Sequence, residues 1–248
     1  MPERIAALGP FFAFETHAPG PVEGPWRSMG ELLDEPSVLR DRVAAVRGYL
    51  AAGGGQPAEA VELRVAASVT QLGLASRLLS PGFAVAALTG AVLSYGLRDA
   101  RWQPTPGSLF PLSLPDRTAA PVADPAERAA RLGRELFDGP IRELAAATGG
   151  FALSPRILWG NVASAVNGAA SAIARTEPEL AGEAREFADR LLEQPPLRGA
   201  GGRTDDGSGF RRRSCCLIYR AAPDRAGALC GDCVLTSPPR TRARSAPS

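Results

Sequence analysis

Four cysteines lie within nineteen residues near the C-terminus, and the rest of the 248-residue chain has none. Cys215 and Cys216 are adjacent, whereas Cys230 and Cys233 enclose two residues. Thiolates gathered in this way indicate a metal centre, so the segment must fold until its two halves meet. A structural zinc site usually takes two chelating loops with about two to four residues between ligands, and the adjacent pair has no spacer. A [2Fe–2S] cluster divides four thiolates between two irons, so the spacing favours an iron–sulfur centre over zinc.

The two halves of the motif differ in what they indicate. Gly231 gives the loop from Cys230 to Cys233 conformational freedom and N–H groups that can point at sulfur, which indicates two ligands. Neighbouring side chains of an extended segment point to opposite sides, so Cys215 and Cys216 are either two ligands or one ligand and one buried cysteine. Four apolar residues beside the cysteines either shield a cluster from water or belong to the core: Leu217, Ile218, Val234 and Leu235.

The run from Arg212 to Leu217, followed by residues 229–233, resembles the C-terminal signature of the FhuF-type ferric-siderophore reductases. The resemblance implies a [2Fe–2S] cluster held by all four cysteines. The thirteen residues between the two halves are more than the family usually has. The extra ones fall in a polar turn at residues 221–227, where a longer loop costs little free energy. Weaker similarity lies in residues 158–165 and in the small-residue helix around 64–68.

Charge is unevenly distributed along the chain. All 28 basic residues are arginine; residues 1–198 hold 19 of them against 22 acids, a balance of −3, and residues 199–248 hold 9 against 4, a balance of +5. Positive charge near a cluster offsets the negative charge of its thiolates and attracts anionic chelates or an acidic electron donor. Arg211, Arg212 and Arg213 stand directly before the first cysteines, where they either screen the cluster, hold an anionic siderophore, or form a solvated face.

Helix and turn patterns predict a mainly α-helical fold with a small antiparallel strand patch and a C-terminal iron–sulfur module. The best helix start is Asp124-Pro125-Ala126-Glu127, with a capping acid and a proline at the first helical position. Ser80-Pro81-Gly82 is expected to break a long helix that begins at Pro57, and the strand patch is expected between residues 95 and 114. The predicted organisation is a helical body at 1–198, a flexible linker at 199–209, the cluster module at 210–235 and a disordered tail at 236–248.

No secretory signal and no membrane-spanning helix is predicted, because the longest uncharged stretch, 78–97, is interrupted by Pro81 and three glycines. A reducing cytoplasm is therefore expected, and there four cysteines act as metal ligands rather than disulfides. The sequence predicts neither nucleic-acid binding nor stable membrane insertion.

Few other residues suggest chemistry. His17 is the only histidine, which argues against catalytic triads. Gly53-Gly54-Gly55 lacks the lysine and preceding strand of a nucleotide-binding loop, so electrons should come from a partner such as a ferredoxin or an NAD(P)H-dependent flavoprotein. Trp159 is expected in the core, and Asn161 and Asn167 either line a pocket or cap a kink in an apolar helix.

Largely from the resemblance, the predicted function is one-electron reduction of a ferric siderophore, which releases Fe(II). Three alternatives remain open. They are a general electron-transfer protein, a structural zinc site on a helical binding protein, and a siderophore-binding or assembly protein that uses its cluster as a sensor.

Overall fold

The computed structural model describes residues 2–116, 121–204, 207 and 209–235. Within them lie α1 (Pro2–Ala6), α2 (Glu31–Asp34), α3 (Pro36–Gly53), α4 (Leu63–Thr89), α5 (Pro125–Phe137), α6 (Pro140–Gly149), α7 (Pro155–Thr176) and α8 (Ala181–Leu192). The strands are β1 (Glu15–His17), β2 (Arg27–Ser28), β3 (Arg101–Trp102), β4 (Leu112–Pro115), β5 (Gly201–Arg203) and β6 (Phe210–Arg212). The predicted class, mainly helical with a small strand patch, is confirmed.

The start of α5 follows from its local sequence. The Asp124 side chain accepts a hydrogen bond from the backbone N–H of Glu127 at 2.9 Å, and Pro125 occupies the first helical position. Such a cap satisfies one of the N–H groups that a helix start leaves without a partner. The predicted helix start is therefore confirmed.

α4 is the central helix and packs against α3, α6 and α7. Its side chains are buried around most of its circumference, from Val65 to Ala86. By length and composition alone, α4 and α7 are each apolar enough to cross a membrane, and more than half of each apolar stretch is buried inside the fold. Their apolar surfaces are covered largely by other helices of the same chain.

Pro81 lies inside α4, so the expected break at residues 80–82 is wrong. A proline removes one helical N–H and displaces the carbonyl of the preceding turn, which leaves acceptors without helical donors. The buried Tyr95 hydroxyl donates to the Leu78 carbonyl at 2.5 Å, in the turn before the proline. A donor from outside the helix thus offsets part of the loss, and the helix continues to Thr89.

The strand patch is larger than expected. Four strands form one sheet in the order β1-β4-β3-β2. β3 pairs antiparallel with β4, as predicted for this region, and also with β2, whereas β1 joins β4 in parallel with Glu15 opposite Ser113. The buried Arg77 of α4 fixes the N-terminal segment against this sheet by donating to the carbonyls of Phe11 and Phe110, each at 3.0 Å.

Part of the segment expected to be a flexible linker is a β-strand, because β5 pairs antiparallel with β6. Gly201 permits this pairing: a Cβ at residue 201 would lie 2.4 Å from the ring of Phe210. Asp205, Asp206 and Ser208 lie outside the described residues, as does the predicted tail at 236–248. The division into body and module stays a prediction.

Candidate metal centre

The cysteine segment docks on α7. Ser214 Oγ donates to the Arg156 carbonyl at 2.7 Å. Gly160 faces the same hydroxyl so closely that a Cβ there would lie 2.2 Å from it. Further along α7, Asn167 Nδ2 donates to Asp232 Oδ1 at 3.3 Å. The part of α7 around Gly160 is therefore the surface that receives the module.

The turn between the two cysteine pairs contacts the body as well. Gln56 Nε2 donates to the Ala221 carbonyl at 2.6 Å. Arg220 forms an ion pair with Glu62, with 2.5 Å between Nη2 and Oε1. Both partners on the body lie between α3 and α4, so the longer turn is docked at the start of the central helix.

Backbone hydrogen bonds bring the two halves of the motif together. The N–H of Arg212 donates to the carbonyl of Asp232 at 3.0 Å. The N–H of Cys233 donates to the carbonyl of Cys230 at 3.1 Å and closes the short loop between them. Leu217 has a φ of 71°, a left-handed conformation that turns the chain directly after the adjacent pair.

One cysteine of each half is buried and the other is partly exposed. Cys216 and Cys233 are 3% and 1% exposed, whereas Cys215 and Cys230 reach solvent. None of the four forms a disulfide. The N–H of Leu217 points at Cys215 Sγ at 3.2 Å and the N–H of Leu235 at Cys233 Sγ at 3.4 Å. Such N–H groups stabilise negative charge on sulfur.

The thiols interact across the two halves. A hydrogen bond from the Cys230 thiol lowers the pKa of Cys216 to about 6, and the same hydrogen bond raises the pKa of Cys230. Burial raises the pKa of Cys215, which also faces Cys216 and Cys233. The structure thus places the two halves of the motif close enough for their thiols to influence one another's pKa.

Residues 212–235 match the family model described as the FhuF 2Fe-2S C-terminal domain. The C-terminal segment is similar to the FhuF-type 2Fe-2S domain over these residues. No curated protein gives a significant match to the chain. The family match spans all four cysteines and confirms the resemblance of this segment, and the cofactor of the domain is a [2Fe–2S] cluster.

The family match favours the iron–sulfur interpretation over the zinc alternative, because the matched domain is a 2Fe-2S domain. Among the residues that the structure describes, no three cysteine, histidine or acidic side chains converge on one metal position.

Arg212 differs in burial from Arg211 and Arg213, the other two arginines of the predicted run. It is buried, while Arg211 is partly exposed and Arg213 is exposed. Its Nε and Nη1 are buried and have no hydrogen-bond partner among the described residues. Buried N–H groups without acceptors are costly. Two such donors beside four cysteines fit an anionic cluster, so the residues present are suited to this cofactor.

A groove opens beside Cys230. Its volume is about 360 Å³. One wall is the domain itself, from Cys230 to Asp232, with Arg212. The facing residues are mostly small or apolar: Phe11, Val69, Leu72, Gly73, Ser76, Ser108 and Ser164. Sequence reasoning missed this wall of α4; the sign that could have revealed it is the row of small residues along an otherwise apolar helix.

The other predicted residues have clear positions. Asn161 is fully buried and accepts a hydrogen bond from Arg212 Nη2 at 2.6 Å. Trp159 packs against the core from a half-buried position. His17 lies on β1, where its Nδ1 is 2.8 Å from Ser113 Oγ. Of the four apolar flanking residues, Leu217 joins the core, Ile218 is half-buried, and Val234 and Leu235 are exposed.

Proposed function

We propose that the protein is a cytoplasmic [2Fe–2S] ferric-siderophore reductase in which Cys215, Cys216, Cys230 and Cys233 are the cluster ligands. The observation that carries the proposal is the position of Cys230, which belongs to the FhuF-type domain and also lines the groove. A partly exposed ligand beside a cavity gives a second molecule a short path to the cluster, as electron transfer requires.

The proposed reaction reduces the iron of the chelate from Fe(III) to Fe(II). Siderophores bind Fe(III) through hard oxygen ligands far more tightly than Fe(II), so one added electron weakens the complex and lets iron leave. The cluster, when bound, supplies electrons one at a time. Each turnover oxidises a partner, such as a ferredoxin or an NAD(P)H-dependent flavoprotein, by one electron and reduces one chelated iron by one.

The chain's own contribution is to position the chelate. The groove wall of Phe11, Val69 and Leu72 offers apolar contact. The hydroxyl of Ser76 offers a hydrogen bond to the chelate's oxygens. Holding the chelate against this wall would keep its iron near Cys230. The rate of electron transfer depends on this close approach.

The direct test uses protein purified without oxygen and without an affinity tag. Iron, acid-labile sulfide and zinc are measured first, and we expect two irons and two sulfides per chain from the cluster type. The reduced protein is then mixed with ferric trihydroxamate or ferric tricatecholate siderophore, and we expect its absorbance to return as Fe(II) is trapped by a chelator. Stoichiometric zinc without sulfide, or a reduced protein that neither chelate reoxidises, would refute the proposal.

Binding is measured separately with gallium complexes of the same siderophores, because Ga(III) is not reduced under these conditions. Gallium chelates should compete with ferric ones for the groove. A protein that binds gallium chelates but does not reduce ferric ones would be a siderophore-binding protein, the alternative without reductase activity.

A further inference from the structure

Asn161 holds the side chain of Arg212 in one orientation. Its Nδ2 donates to the Ser68 carbonyl at 3.0 Å, to Ser68 Oγ at 3.2 Å and to Gln71 Oε1 at 2.8 Å. Because the amide nitrogen is fully occupied by acceptors on α4, Oδ1 must face the guanidinium. Arg212 Nη2 donates to it at 2.6 Å and to the Ile157 carbonyl at 3.5 Å.

The guanidinium of Arg212 lies close enough to the cysteines to act on them electrostatically. Its positive charge favours the thiolate forms of Cys215, Cys216 and Cys230. It also lines the groove together with Cys230. Asp232, in the loop from Cys230 to Cys233, interacts electrostatically with Arg212, and its carboxylate offsets part of the positive charge of the arginine.

Burial makes this arginine different from its neighbours. Arg212 is 1% exposed. A charge removed from water acts on its surroundings at low effective dielectric, whereas solvent and salt screen an exposed one. Reduction adds one negative charge to an iron–sulfur cluster, so a fixed positive charge beside it stabilises the reduced form.

We propose that Arg212, positioned by Asn161, raises the reduction potential of the cluster, and that Arg211 and Arg213 contribute little. The assignment concerns the cluster itself and does not depend on which molecule the protein reduces. It also explains why two polar residues of α4, Ser68 and Gln71, are buried around the amide of Asn161.

The test compares three single variants of the cluster-loaded protein: Arg212→Gln, Arg211→Gln and Arg213→Gln. Midpoint potentials are measured by anaerobic titration, followed by visible absorbance and electron paramagnetic resonance. We expect Arg212→Gln to shift the reduction equilibrium at least tenfold toward the oxidised form, which for one electron is a potential about 59 mV lower. The two control variants, which remove the same charge from more exposed positions, should each shift it less than about threefold.

Two further variants decide the matter if Arg212→Gln does not retain a cluster. Arg212→Lys keeps the charge and should stay near the wild-type potential. Asn161→Asp places a carboxylate against the guanidinium and should lower the potential. Thermal unfolding of the apoproteins separates loss of packing from loss of charge. An unchanged potential in Arg212→Gln, equal shifts in all three glutamine variants, or an unchanged potential in Asn161→Asp would overturn the proposal.

Discussion

Gly160 of α7 lies against Ser214 so closely that a Cβ on residue 160 would be 2.2 Å from the serine hydroxyl oxygen. The hydroxyl is also engaged, because it donates to the Arg156 carbonyl at 2.7 Å. The contact joins the helical body to the segment that carries the first cysteine pair.

Gly160→Ala is therefore expected to destabilise the protein and to weaken cluster retention. Forcing a methyl group into a packed contact costs about 1–3 kcal/mol. Gly168→Ala on the same helix is the matched control, since a Cβ at residue 168 meets nothing within 4 Å. The control should be neutral or stabilising by up to about 1 kcal/mol, because alanine favours helix. Denaturant unfolding and iron content measure both effects; equal stabilities of the two variants would disprove the close contact.

Single serine variants of the four cysteines test the ligand set. We expect each variant to lose the visible absorbance of the cluster or to shift it strongly, because serine oxygen is a harder ligand than thiolate. Iron and sulfide per chain provide the measurement. A Cys215→Ser protein with full iron, sulfide and an unchanged spectrum would instead support the interpretation of one ligand beside one spare cysteine.

Reduction of the cluster should require a second protein. Gly53 ends α3, and Gly55 has a φ of 62°, so this glycine run terminates a helix rather than cradling a phosphate. NADPH alone should leave the oxidised spectrum unchanged, whereas NADPH with a ferredoxin system or a flavoprotein reductase should bleach it. Rapid bleaching of the pure protein by NADPH would contradict this expectation.

Filling the groove should block the chelate without disturbing the cluster. Leu72→Trp places a large ring on the half-buried wall of α4 that faces Cys230. We expect reoxidation by a ferric chelate to slow at least tenfold, while the spectrum and potential stay unchanged. Leu63→Trp is the control, because Leu63 begins the same helix, is 45% exposed and does not line the groove. If both variants react at the wild-type rate, the chelate does not use this groove.

Acid should weaken the fold through His17. Burial and the neighbouring charge of Arg101 lower the pKa of His17 below its ordinary value of 6.5. The unfolded chain then binds a proton more readily than the folded one, so the free energy of unfolding rises with pH between the two pKa values and levels off above 6.5. The single imidazole resonance of a tag-free protein reports the pKa by NMR. His17→Gln should remove this part of the pH dependence, and a pKa at or above 6.5 would show that the sign is wrong.

Local sequence predicts those parts of the fold that depend on contacts between residues close together in the chain. Asp124 and Pro125 start α5 because the cap involves atoms only three residues apart. The course of α4 through Pro81 depends instead on Tyr95, a donor that reaches the helix only through the tertiary fold. The parallel pairing of β1 with β4 likewise joins segments almost a hundred residues apart. The residues around Pro81 and around β1 contain no sequence pattern that would predict either contact.

In the candidate site, too, some features could be predicted from the sequence and others could not. Four cysteines at short spacing indicated the cluster, because the ligands are themselves the motif. The arginine run was predicted as one unit, and sequence gave no reason to choose among its members. The choice comes from β6, in which Arg212 turns inward to Asn161 and Arg211 is partly exposed, and Arg213 follows the strand at an exposed position.

The turn between the two cysteine pairs contacts Gln56 and Glu62. These contacts have a consequence for any attempt to transfer the metal centre to another protein. The family match marks only residues 212–235. The contacts that hold these residues in place extend to Gly160 on α7 and to the start of α4. A peptide of the matched residues alone would leave those supports behind, so a portable version must bring at least two helices of its host with it.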